Sequence, residues 1–184
     1  MGNVIIDMSV SLDGFIAGPN DEDAGLHHWF FSPSDTTAKV IEESIKTTGV
    51  IIMGRRTYDI AAEQDGFVNN PYPVPHVILS RTVPEKLAEG AETFIFVTDG
   101  IEHAVQQAHT MVSNKNIVVG GGAYTAQQLL KSGLVDEIHL HLVPLLLGHG
   151  KRLFEHLDIS PIELQSLGVI ETPDVTHLRF RVIK

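Results

Sequence analysis

Short apolar runs, each closed by a turn and followed by an amphipathic stretch, recur along this chain, and that alternation restricts the fold more than any other feature. Asn3–Val10, Val50–Met53, His76–Leu79, Thr93–Val97, Asn116–Val119 and Asp136–Val143 read as strands. Their near-continuous apolar character suits strands covered on both faces. Between them lie helical patterns. Ser32 or Ser34 can cap a helix running to about Thr48, with Ala38, Ile41 and Ile45 on one face and Gly49 at C′. Thr82–Ala91 has Pro84 as a first helical residue. Asp99 can cap Ile101–Val112, where Ile101, Val105, Ala108 and Val112 share a stripe. Gly120–Gly121–Gly122 opens a helix to about Ser132, which Gly133 ends. Ile162–Ile170 and Val175–Ile183 read as an antiparallel pair around the Glu171–Asp174 turn. Alternating strands and helices imply an α/β fold, a mostly parallel sheet flanked by helices, with antiparallel strands added at one edge. No repeat, linker or low-complexity tract divides residues 1–184, so a single domain is expected, with a surface loop over Asp65–Pro75.

Charge and composition narrow the function. A net charge of −10 is the wrong sign for a general nucleic-acid surface. With no cysteine there is no disulfide and no thiolate metal site. The longest apolar runs, Val50–Met53 and Val143–Leu147, fall far short of the roughly 18 residues of a membrane span. Met1–Met8 lacks the pattern of a signal peptide, which makes a cytoplasmic location the expectation. Ten histidines raise the question of a metal. His139 and His141 share a strand face and His27–His28 are adjacent, but no HExxH occurs, so no metal site is expected. No GxSxG occurs either, which removes a serine hydrolase.

Four segments remain where chemistry can sit. Gly54–Arg55–Arg56–Thr57 follows a buried strand. A helix starting there directs unpaired N–H groups at a phosphate, and the arginines add bidentate donors. Gly120–Gly121–Gly122 also joins strand to helix, and glycines let backbone approach a pyrophosphate closely, although the spacing is not GxGxxG. Ser80 and Arg81 end another strand, on the side where open α/β sheets bind ligands. Each has a plainer reading as a turn or a surface arginine. Asp13, before Gly14, is either a turn-forming carboxylate or a proton donor. Trp29 can stack on a flat ring or pack in the core.

Taken in order, SLDGFIA (Ser11–Ala17), IMGRRTY (Ile52–Tyr58), VILSR (Val77–Arg81), VVGGG (Val118–Gly122) and LVDEIHLHLVPLLLGHGKRLF (Leu134–Phe154) resemble the dihydrofolate reductase-like superfamily. The last segment points to the branch of the riboflavin biosynthesis reductase C-terminal domain. The resemblance implies a three-layer fold with a central mixed sheet of about eight strands, NADPH as cofactor, and a homodimer. It implies cofactor contacts from Gly54, Arg55, Arg56 and Thr57. It places Ser80 and Arg81 by the 2′-phosphate, Gly120, Gly121, Gly122, Ala123 and Tyr124 on the pyrophosphate, and Ile16 and Ala17 beside the nicotinamide. It also implies a cis peptide between Gly120 and Gly121. The implied reaction is hydride transfer to a small pyrimidine, pteridine or ribosylaminopyrimidine-like substrate, similar to that of 5-amino-6-(5-phosphoribosylamino)uracil reductase, with a proton from water or Asp13. True dihydrofolate reductases carry a ring-binding carboxylate in the first helix. Asp35, Glu42 and Glu43 do not fall at that position here, and Ala38 lies nearest it. Dihydrofolate reduction and a non-catalytic NADPH-binding module therefore stand as the alternatives.

Overall fold

The computed structural model describes residues 2–64, 66–90 and 93–184. Its centre is an eight-stranded sheet in the order β5-β4-β3-β6-β1-β7-β10-β9. β1 (Val4–Ser11), β3 (Thr48–Gly54), β4 (His76–Leu79), β5 (Phe94–Val97), β6 (Asn116–Val119) and β7 (Glu137–Val143) run parallel. β9 (Leu164–Glu171) and β10 (Thr176–Val182) form the expected hairpin, which joins antiparallel to β7. A second, two-stranded sheet pairs β2 (Phe15–Ala17) with β8 (Lys151–Arg152); these strands are too short to leave a periodic signature.

The two faces of the sheet are packed differently. On one, α4 (Ile101–Met111) and α5 (Ala123–Lys131) bury Ala104, Val105, Ala108, Ala126 and Leu129 against Val4, Ile6, Met8, Val50, Ile52, Ile117 and Val119. This is the main core. The opposite face carries α1 (His28–Phe31), α2 (Asp35–Thr47) and α3 (Arg55–Glu63), and its apolar packing is split in two. Ile51, Met53, Tyr58, Phe67 and Ile78 form one cluster, and Leu26, Trp29, Val143 and Val175 the other.

Local chemistry explains most helix ends and corrects several expectations. Ser34 is the N-cap of α2, its hydroxyl accepting from Thr37 N–H. Gly133, at φ +65°, ends α5 through its N–H to the Leu130 carbonyl at 3.1 Å. Gly49 follows the C-cap Thr48 and so stands at C′ as expected, but without a left-handed φ: the chain passes from α2 straight into β3, where Gly49 leaves room for Val112 and Lys115. Asp99 does not cap α4; its carboxylate pairs with His103, and Gly100 at φ +120° occupies the N-cap. Residues 82–90 form bends and irregular chain rather than a helix: Val83 and Leu87, one helical turn apart, are both exposed, so no buried face holds a helix there. Ala91, the end of that expected helix, and Asp65, the start of the expected loop, lie outside the described residues.

The Gly49 site yields a stability test. A Cβ there would stand 2.7 Å from Val112 Cγ1 and 2.8 Å from Lys115 Cβ, too close to keep. Gly49→Ala should lose about 1–3 kcal/mol by overpacking. Gly133→Asn, at a left-handed position with open space around it, should lose far less. Chemical denaturation of both variants checks the contrast, and equal midpoints would remove the close-approach account of Gly49.

Candidate active site

β3 and β6 are neighbours, so the turns that follow them meet at the carboxyl edge of the sheet. Gly120 N–H donates to the Ile52 carbonyl at 3.0 Å, which locks the end of β6 to β3. Thr57, in the first turn of α3, packs against the second glycine turn: a Cβ on Gly121 would lie 2.5 Å from Thr57 Cγ2, and one on Gly122 3.2 Å from Thr57 Oγ1. From the other side, Thr125 Oγ1 stands 2.7 Å from where a Gly54 Cβ would be. Gly122 caps α5 at φ +86°, a conformation that glycine adopts without the Cβ clash. The cis bond expected between Gly120 and Gly121 is absent; no described peptide bond is cis, and the positive φ values of Gly121 and Gly122 turn the chain instead.

The two helix starts are alike. Neither Gly54 at α3 nor Gly122 at α5 provides a side-chain cap, and neither first turn contains an acidic residue. In a chain of net charge −10, that leaves two adjacent sets of unpaired N–H groups with favourable dipole ends and no carboxylate in the way. Ala123 and the exposed Tyr124 begin α5. Arg55 bonds Asp59 at 2.7 Å and the Thr82 carbonyl at 3.0 Å, and reaches Ser80 Oγ at 3.5 Å, tying β4's end to α3. Arg56 is paired with Asp21, which also holds Lys151. Arg81 is exposed and makes no hydrogen bond or ion pair among the described residues.

A cavity of about 290 Å³ opens between the two apolar clusters of the α2 face. Gly120, Val118 and Thr57 line it, so it is continuous with the glycine turns. Ile51, Met53, Phe67, Phe30 and Ile41 give it apolar walls. Trp29 is both core and wall: it is buried, donates from Nε1 to Ser9 Oγ at 3.0 Å, and lies 4.5 Å from the His141 ring. Ile16 packs towards the main core, and neither it nor Ala17 lines the cavity.

Asp7 is the residue that sequence reasoning missed. It projects from β1 into this cavity, and its Oδ1 accepts from His141 Nε2 at 2.8 Å. His141 Nδ1 in turn meets His177 Nδ1 at 2.7 Å. Burial pushes the Asp7 carboxyl up, but the charge and hydrogen bond of His141, with His139 and Arg179, outweigh it and hold the group below the usual carboxylate range. Burial first, then the neighbouring His141 and Arg179, push His177 down to about 4. Tyr72, bonded to Ser44 at 3.2 Å, is raised to about 12 by burial, with the Asp7 charge adding to the rise. The available signal was an alternation in β1. Asp7, Ser9 and Ser11 face one way, Ile6, Met8 and Val10 the other.

Asp13 has a different role from the proton donor it was a candidate for. Its Oδ1 accepts from Ser11 Oγ at 2.7 Å and Leu147 N–H at 3.1 Å, and its Oδ2 from Gly148 N–H at 2.7 Å. These bonds, the Ser11 hydroxyl's first, lower the carboxyl to about 2, so Asp13 carries no proton near neutral pH. It fastens the loop after β7 to the turn after β1.

The family model of the RibD C-terminal domain matches residues 3–178. The chain belongs to that family. Among solved structures, the chain is similar to a putative riboflavin biosynthesis protein from Shewanella sp. PV-4, with 24% identity, TM-score 0.78 and 99% of each chain covered. It is also similar to a diaminohydroxyphosphoribosylaminopyrimidine deaminase/5-amino-6-(5-phosphoribosylamino)uracil reductase from Thermotoga maritima, at 13% identity and TM-score 0.71. There the match takes in 99% of this chain but 57% of the longer protein. Dihydrofolate reductase from Enterococcus faecalis, complexed with NADP(H) and RAB-propyl, matches at 17% identity and TM-score 0.63, over 100% of this chain and 98% of that one. The fold is therefore dihydrofolate reductase-like. No described helix is long and apolar enough to cross a membrane.

Two titrations follow. The Asp13 carboxyl should titrate by carbon NMR with a midpoint near 2 rather than at the ordinary aspartate value of 3.8. Its stabilising effect should be complete above the ordinary value and fade as pH falls through the lower one. An unshifted midpoint would mean the loop is not held this way. His177, lowered from 6.5 to about 4, should stay neutral where the unfolded chain is already protonated. Its contribution is full above pH 6.5 and is lost as pH falls towards 4. Thermal unfolding of wild type and His177→Phe across that window should differ most in slope; parallel curves would contradict it.

Proposed function

We propose that this protein is an NADPH-dependent reductase of a small pyrimidine- or pteridine-class heterocycle, similar to 5-amino-6-(5-phosphoribosylamino)uracil reductase. One observation carries the reading: two uncapped, acid-free helix starts lie side by side, and the same glycine turn borders an apolar cavity. The donor chemistry fits a dinucleotide. N–H groups of Ala123 and Tyr124 and of the α3 start suit the diphosphate, close to glycines that admit it. Ser80 and Arg81 suit a 2′-phosphate, and Arg81 has no competing partner among the described residues. Arg55 assists from β3's end, whereas Arg56 must first leave Asp21.

When bound, the cofactor supplies the hydride. The chain's own residues orient the two reactants and exclude water. Trp29, Phe30 and Phe67 provide flat apolar walls for a ring. Ile16 and Ala17 belong to the small sheet that follows β1 and do not line the cavity, so a nicotinamide contact from them lies outside its walls. Asp13 is committed to the loop, so water is the proton source. Dihydrofolate reduction is disfavoured because α2 turns Val40, Ile41 and Ser44 into the cavity and no carboxylate. A homodimer and a cytoplasmic setting accompany this reading by family likeness.

Paired titration with NADPH and NADH, followed by Trp29 fluorescence and calorimetry, tests it. NADPH should bind more tightly. Arg81→Ala should weaken NADPH roughly tenfold or more, the scale of charge-assisted bonds worth about 1.5–3 kcal/mol, and leave NADH nearly unchanged. Equal losses for both would sink the 2′-phosphate assignment, and no binding of either would sink the reductase.

A further inference from the structure

The charges around the cavity are arranged against anions. Among the described residues no lysine or arginine lines it. Its three histidines are engaged: His27 pairs with Asp23, His76 bonds the Val74 carbonyl at 2.8 Å, and His141 bonds Asp7 and His177. Asp7 is ionised at neutral pH, its carboxyl below the usual range, and sets the sign of the field inside. Arg179, whose charge reaches Asp7, is matched by Glu43 at 3.0 Å, so the group keeps an excess negative charge.

The way out meets no free cation either. The exposed members of the wall, His27, Phe31 and Gly66, mark the mouth. Beyond Phe30 and Ile41 the surface continues as a groove of Pro33, Ala38, Ile45 and Pro71, whose one charge among the described residues is Glu42. Lys39 and Lys46 of α2 are exposed and belong to neither wall. The start of α2 offers no anion site, because Ser34 caps it and Asp35 stands in its first turn. Arg56 is held by Asp21. The two uncapped helix starts, α3 and α5, are assigned above to the phosphates of the cofactor.

A phosphate monoester carries about −1.5 to −2 charges near neutrality. Beside Asp7 it would lose hydration and meet a like charge with no cation to offset either cost. We propose that the substrate of this cavity is an unphosphorylated heterocycle, a free ring or one with an uncharged substituent. The charge of Asp7, with the neighbouring cations already paired, excludes a phosphoribosyl form. The protein thus shares a reaction type with 5-amino-6-(5-phosphoribosylamino)uracil reductases but takes a substrate without their phosphate. The inference rests on the reductase reading of the cavity, but its test needs no cofactor.

Two matched pairs of probes are titrated into the cofactor-free protein: uridine with uridine 5′-phosphate, and 6-hydroxymethylpterin with its phosphate ester. The reporter is the indole N–H resonance of Trp29, the single tryptophan and part of the cavity wall, so binding at the helix starts is not read. In at least one pair the neutral member should shift that resonance saturably. Its phosphate should displace it only at a roughly tenfold or greater excess, the scale of a like charge left unpaired. The acetyl ester of the same probe, neutral and of similar bulk, should compete as well as the probe itself. Phe31→Arg, at an exposed position of the mouth, should improve competition by the phosphate about tenfold and leave the neutral probe unchanged. Exclusion of the acetyl ester together with the phosphate would make bulk the cause and overturn the proposal. A phosphate that competes as well as its neutral partner overturns it too, as does a folded Phe31→Arg without the gain, or no saturable shift with either neutral probe. Should the variant not fold, the wild-type comparison decides alone. NADPH is titrated separately by calorimetry: these failures with NADPH binding intact sink this inference alone, whereas absent NADPH binding sinks the reductase.

Discussion

The site hangs from the pairing of β3 with β6. Thr48–Ile52 runs beside Asn116–Val119, and Gly120 extends the ladder by one bond to Ile52. These strands are far apart in sequence, yet the pairing brings their terminal turns into van der Waals contact through Thr57 and Thr125. Parallel strands deliver all their carboxyl ends to one edge, and a reversal in strand order leaves a crevice there. Here β4 and β5 continue outward from β3 on one side, while β6, β1 and β7 lie on the other. The crevice is therefore a consequence of topology, and the glycines are what let the two turns approach so closely there.

The asymmetry of the two faces has the same origin. α4 and α5 press closely on small residues, with Ala104, Ala108 and Ala126 fully buried. The opposite face carries bulky Trp29, Phe30, Phe67 and Tyr58 in two separate clusters. The gap between those clusters is the cavity. Its size is set by aromatic side chains that pack against each other, as Tyr58 does with Phe67, Phe94 and Phe96, rather than filling the centre of the sheet.

Much of this was legible in the sequence where one local interaction decides the outcome. Ser34 caps α2, Gly133 ends α5, the six parallel strands of the large sheet lie at the apolar runs, and β9 and β10 form the hairpin expected around the Glu171–Asp174 turn. The reading failed where distant neighbours decide. Gly49 does stand at C′, but what requires a glycine there is space for Val112 and Lys115, which the sequence position does not reveal. Asp99 has a capper's side chain and spends it on His103. β2 and β8 exist because they pair with each other. The glycine and arginine turns were readable because each sits at a strand end. Asp7 was not, because an aspartate inside an apolar strand gains meaning only from what two other strands place beside it.

Those two strands are β7 and β10. Register sets Asp7 beside His139 and Ser9 beside His141 across the parallel pair, then His141 opposite His177 and His139 opposite Arg179 across the antiparallel one. A shift of one residue in either pairing would turn these groups to the other face, into the apolar core. The polar ladder and the hydrophobic face thus enforce each other. Ile6 and Ile138 cannot face the core that holds Leu129 of α5 unless Asp7, His139 and His141 stand on the other side. The C-terminal hairpin, although remote from the glycine turns, completes the electrostatics of the cavity by adding His177 behind His141 and the charge of Arg179 near Asp7. Without β10 the carboxylate would have fewer groups to hold it ionised. The antiparallel edge is in this sense part of the site, and the sheet's odd final strands have a chemical as well as a structural consequence.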